Sequence, residues 1–348
     1  MNGSAAREFP SALTTSMSKD KGKQAAAIPP LPSPSATVSA SPASSLSTLW
    51  SYLFPALEHI VRSSTNDTET YRAPAISVEY HMGIHTNCYN YFTAQSESAN
   101  GTKNRRSSAI SGADLYEQLD KYYANTAREL LLEAPHDDVT LVHYLLPCFN
   151  RYSAGAFSVD RLLNYCNRHY VKRAVDEDKG WLRLNDVLDA VAKTIKEDDT
   201  REKISRRLKE RRMEELKKWG YEDGGSAELL AQAEASAEAA STLDRIVPLS
   251  SLALRRFRID FVEPLLKVPK LKGKGRKKRP PPADGGGAVM PKGRLARAVK
   301  ELLETKGGDE DEKRRLAAEL AVMLRTVGIR VDHPLRKKLD KFVIVTAP

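Results

Sequence analysis

From Ser47 to Val175 the apolar residues of this chain recur at helical spacing in one stretch after another. Leu49, Trp50, Leu53, Phe54, Leu57, Ile60 and Val61 form a first stripe of the kind a helix buries. Pro55 lies inside it and predicts a kink or split at the preceding turn, since proline removes an amide donor and crowds the carbonyl one turn back. Leu115, Leu119, Tyr122, Tyr123, Ala127, Leu130 and Leu131 give a longer stripe. The segments 139–149 and 157–175 continue the pattern, with Ser158 or Asp160 as candidate caps. Four or five consecutive helices on short connections predict an all-α helical bundle.

One stretch has more to bury than a bundle core needs. In YHMGIHTNCYNY, Tyr80 to Tyr91, the residues His81, Met82, His85, Thr86 and Tyr89 share one helical face. Ile84, Cys88 and Tyr91 lie nearer the opposite side. Two faces worth burying imply one for the protein's own core and one for a partner, in the manner of helix-in-groove recognition.

The wording of these stretches is similar to that of the cullins. YHMGIHTNCYNYFT resembles the family's second helix, and NRHYVKRAVDE, residues 167–177, resembles the end of its fifth. LWSYL at Leu49, GADLYEQLDKYY at Gly112 and IVPLSSLALRRFRIDFVEPL, residues 246–265, match further helices in family order. The resemblance is to the N-terminal region, closest to the kind of cullin that binds a Skp-type adaptor. It implies a cullin-repeat-like bundle, elongated, that serves as a non-catalytic scaffold of a ubiquitin ligase. The implied partner is a Skp-type adaptor carrying an F-box substrate receptor. His81, Met82, His85 and Tyr89 from one helix and Asn167, Tyr170 and Val171 from the other are the contacts it implies. His81 and His85 stand where the family commonly has tyrosines, so acidification is expected to weaken contact there if the imidazoles become charged in a dry interface. A RING subunit is not expected to bind this chain, because the family's C-terminal half is absent from it. If these residues are the whole protein, it would compete with a full scaffold; if they are a piece of a longer one, the whole is an ordinary scaffold.

The resemblance also sets the expected boundaries. Residues 1–46 are rich in Ser, Pro and Ala and read as a disordered tail, because they offer too little apolar surface to offset the entropy of ordering. Residues 47–180 and 246–266 form the first repeat. Residues 181–245 are a charged and Ala-rich insertion expected to project as a helical hairpin. Residues 267–291 read as a basic linker, and 292–348 as the start of a second repeat with helices over 295–303 and 313–327. The segment 96–111 is expected to be a loop.

Other chemistries find less support. His81, His85 and Cys88 have the i, i+4, i+7 spacing of metal ligands, but zinc needs three or four, and nothing places His169 or Cys166 beside them. No metal or other cofactor is expected. His136, Asp137 and Asp138 read as a helix N-terminus, where carboxylates meet the dipole favourably, and not as an acid–base site. Three scattered cysteines give no disulfide framework, and no apolar run reaches the ~18 residues a membrane helix needs. The net charge of +10 is concentrated in a few tracts, above all Lys272, Lys274, Arg276, Lys277, Lys278 and Arg279. That tract reads as a solvated linker or a nuclear localisation signal. Its lack of interleaved aromatics weighs against nucleic acid, although a basic nuclear helical protein is the alternative reading. The expected location is cytoplasm and nucleus.

Overall fold

The computed structural model describes residues 45–62, 72–101, 111–196, 199–268, 293–305 and 309–345. Among these every regular element is helical. The tail lies outside them except for its last two residues. Ser45 caps α1 (Leu46–Leu57), its hydroxyl accepting from the Thr48 amide at 3.2 Å. Pro55 does not split α1; the chain continues into a wide π turn, Glu58–Arg62. That turn packs on α4 (Asp138–Leu162) where Gly155 leaves room: a β-carbon there would stand 3.0 Å from the Val61 backbone.

The second helix, α2 (Val78–Gly101), runs into the segment expected to be a loop. It is pinned at both ends of its buried face. The Tyr80 hydroxyl donates to the Tyr52 carbonyl at 2.6 Å, and the two rings stack 4.9 Å apart. Tyr91 donates to Asp114, and Gln95 accepts from the Gly112 amide at 2.7 Å, at the start of α3 (Ala113–Leu132). Gly112 has φ +97°, and a β-carbon would sit 2.3 Å from the Phe92 ring. Only glycine meets both demands at that corner.

The helix α4 is continuous through Pro147, so neither Ser158 nor Asp160 caps a new helix. Its actual cap is Asp137, which accepts from the Thr140 amide at 2.9 Å, as the His136 to Asp138 pattern predicts. These hydrogen bonds hold the Asp137 carboxyl below its usual range. After a turn at Leu163 comes α5, an irregular rod of short α and π pieces: Asn164–Cys166, Asn167–Val171, Lys172–Ala174 and Val175–Lys179.

The expected insertion holds α6 (Leu184–Ala192), α7 (Arg201–Lys217) and α8 (Ala227–Ala240). Its two ends meet, the Ile246 amide donating to the Lys179 carbonyl at 2.8 Å. It is not a free hairpin, however. The Ala-rich helix α8 packs on α9 (Leu249–Phe257), and Ala239 is fully buried in the main core. Small side chains let the two backbones approach closely, so the Ala-rich tract packs into the bundle where a projecting hairpin was expected. A satellite cluster of Leu216, Trp219, Tyr221, Ala233 and Ala237 joins α7 to α8.

The helix α9 is buried almost all round, which puts it at the centre of the bundle against α3, α4 and α8. It continues through the π turn Arg258–Val262 and the short helix Glu263–Leu266. The basic linker is outside the described residues apart from Lys267 and Val268. Beyond it α10 (Arg294–Glu304) and α11 (Glu310–Thr326) lie close to their expected spans. A further helix, α12 (Pro334–Val345), was not anticipated. Leu295, Leu320 and Leu339 join the same core as α1 to α4, so the C-terminal helices share one hydrophobic core with the rest. None of the described helices is long and apolar enough to cross a membrane.

Candidate partner-binding face

The two faces of α2 are divided as the sequence predicts. Tyr80, Ile84, Cys88, Tyr91 and Phe92 are buried, whereas His81, Met82, His85, Thr86 and Tyr89 point outward. Met82 is 56% exposed and Tyr89 50%, high values for side chains whose burial is worth about 1.5–3 kcal/mol. Burial raises the Cys88 thiol to about 12, so it behaves as a small core hydrophobe. With the thiol in the core and both imidazoles in solvent, the 81/85/88 trio does not converge on one point. No group of three or more potential metal ligands occurs among the described residues.

The outward face of α2 is continued by α5 through an array of rings. Tyr165 meets His85 edge-on at 6.1 Å, Tyr89 at 5.9 Å and Phe92 at 5.3 Å. His169 stacks on Tyr165 at 4.0 Å and lies 6.3 Å from Phe92. Such contacts hold the rings in place, so a partner would meet a pre-ordered surface. Beside them is a cleft of about 180 Å³ bordered by Phe92, Ser96, Tyr165, His169 and Arg173. Partial burial, helped by Arg168 and Arg173, lowers the His169 pKa and favours a neutral imidazole.

The three residues of α5 expected as contacts are engaged within the fold and not on this face. Tyr170 is 7% exposed and packs on Tyr116 at 5.1 Å, and burial raises its phenol to about 12. Val171 is also in the core. Asn167 is half-buried and serves the fold, its amide donating to Asp160 at 2.9 Å and its oxygen accepting from the Leu249 amide at 3.1 Å. Asp160 accepts from the Ser250 amide at 3.0 Å. The pair therefore caps α9, whose own N-cap, Pro248, has no side-chain acceptor. Tyr165, which the sequence reading passed over, is the residue brought next to His85 and Tyr89, and His169, weighed there only as a metal ligand, stacks on it. A signal for them existed: Leu163, Cys166, Tyr170 and Ala174 form the apolar stripe of α5, which leaves Tyr165 and His169 off it. The tract Lys272 to Arg279 lies outside the described residues.

Over 140 residues the chain is 22% identical to cell division control protein 53 of Saccharomyces cerevisiae, a cullin, covering 38% of this chain and 17% of the yeast protein. The matched part is thus a small fraction of that relative's length. No family model matches the chain, and no solved structure matches it.

Proposed function

We propose that this chain is the adaptor-docking part of a cullin-type scaffold, and that His81, Met82, His85 and Tyr89, with Tyr165 and His169 beside them, receive a Skp-type adaptor. The observation that carries the reading is the exposed, ring-braced face of α2, on the helix whose wording is cullin-like. The distant likeness to the yeast cullin supports it. Such a scaffold contributes position and not chemistry: tethering a substrate receptor near a conjugating enzyme raises its effective concentration. Met82 and Tyr89 are the anchors of the face, and the imidazoles, smaller and more polar than phenols, bury less apolar area around them.

The test is a calorimetric titration of the whole chain with a purified Skp-type adaptor, beside a Met82→Ala/Tyr89→Ala variant and a broad-complex-type adaptor as control. Binding that weakens at least tenfold in the variant, with helical circular dichroism unchanged, is the expected result. Equal affinity of both proteins, or no binding by the folded wild type, would overturn the assignment.

A further inference from the structure

The C-terminal end of α7 meets the turn between α11 and α12 across a cleft of about 470 Å³. Lys217, Lys218 and Gly220 form one wall; Arg330, Asp332 and Lys337 form the other. A second cleft of about 470 Å³ shares Lys218 and Arg330 and runs on toward Trp181 and Trp219. Lys218 is taken up by Glu215 at 2.6 Å. Lys217, Arg330 and Lys337 are exposed, and none has a carboxylate partner among the described residues. The one carboxylate lining this cleft is that of Asp332. Three unpaired cations from two distant parts of the chain are thus held around one space.

The backbone there is fixed without any ligand. The buried Arg336 donates to the Ile329 carbonyl at 2.8 Å, next to Arg330. At the end of α7 the carbonyls of Leu216 and Lys217 accept from the Trp219 and Gly220 amides at 2.9 and 3.0 Å. Those carbonyls are therefore satisfied, which lessens the repulsion that a helix C-terminus offers to an anion.

We propose that this cleft binds a multivalent phosphate group. A single carboxylate could neutralise one cation and would still face Asp332. A group with two or more charges can engage the guanidinium fork and both ammonium groups together, and phosphate oxygens suit both donor types. The site is independent of the α2 face, and its success or failure leaves the adaptor reading untouched.

The test is calorimetry of the full chain with inorganic triphosphate at 50 and 200 mM salt. It compares the wild type with Arg330→Ala/Lys337→Ala and with Lys277→Ala/Lys278→Ala/Arg279→Ala, which disarms the rival basic tract. Removing two charges from the cleft should weaken binding about tenfold, with the tract variant close to wild type and with affinity falling as salt rises. A parallel arm with a peptide carrying two adjacent phosphoserines distinguishes a partner's phosphorylated segment from a free polyphosphate. The proposal is overturned if the tract variant loses binding while the cleft variant keeps it. It is equally overturned if neither phosphate probe binds the wild type at 50 mM salt.

Discussion

Glu238 sits at the seam between α8 and α9, and its carboxylate accepts from the Ser251 hydroxyl at 2.6 Å. Desolvation raises its pKa from 4.5 to about 7, the nearby Glu234 and Asp160 add to the rise, and the Ser251 bond opposes it. Because the folded value lies above the unfolded one, the native state holds this proton more tightly. The associated stability is fully present below about pH 4.5 and is lost as pH rises through about 7. A displacement of that size corresponds to roughly 3 kcal/mol at 1.36 kcal/mol per pH unit. The side chain is only half-buried by surface area, so screening reduces the expected effect to about 2 kcal/mol. Glu238→Gln keeps the shape and a hydrogen-bonding oxygen for Ser251 but cannot ionise. Denaturant unfolding of both proteins at pH 5, 6, 7 and 8 should show the variant gaining about 2 kcal/mol on wild type between the ends of the series. Parallel stability curves would refute the reasoning and place the carboxylate in effective contact with water.

Two further outcomes bear on the candidate face. Asn167→Ala removes the acceptor for the Leu249 amide and a donor to Asp160, so it should cost ~1 kcal/mol of unfolding free energy, the usual price of a lost helix cap. Adaptor affinity measured under native conditions should be unchanged, and a tenfold loss of affinity at full stability would put Asn167 in the interface instead. Partial burial lowers the His169 pKa and favours the neutral ring, and covering that ring with a partner disfavours its protonated form further. Adaptor binding should therefore be several-fold weaker at pH 5.5 than at pH 7.5, with the difference reduced in His169→Gln; a pH-independent affinity would contradict this.

The parts of the fold legible in the sequence were those set by local asymmetry. The two faces of α2 follow from side-chain spacing alone, because each residue's environment is fixed by its phase on one regular helix. On α5 the same spacing pointed to Tyr170 and Val171 as core residues, but the motif likeness led to the opposite expectation. The apolar stripe was the better guide, since burying Tyr170 against α3 and Val171 in the core is a gain any partner would have to match. The capping role of Asn167 was not legible in this way. Its acceptor duty is to Leu249, more than eighty positions along the chain, and only tertiary structure brings that amide near. The helix α12 carried its signal in Leu335 and Leu339, one turn apart, where the family likeness had already faded.

The insertion shows how a segment can be separable in topology and inseparable in energy. The Lys179–Ile246 bond closes its neck, so joining 180 to 246 asks little of the backbone. Yet Arg255 in the central helix is 1% exposed and finds its acceptors at the Thr242 and Arg245 carbonyls, at 3.0 and 2.8 Å. Arg258 donates to the carbonyls of Ala239, Ala240 and Ser241. Arg258 thus meets the C-terminal end of α8, where the dipole and the terminal carbonyls favour a cation, and Arg255 meets the turn that follows it. Without that helix end and turn, Arg255 would lose these carbonyl acceptors and Arg258 would keep, among the described residues, only Glu263. An uncompensated buried charge costs several kcal/mol, more than the removal of a surface hairpin would. The charged helix α7 is therefore carried on a base that the core itself requires, which fixes Lys217 against the turn that bears Arg330.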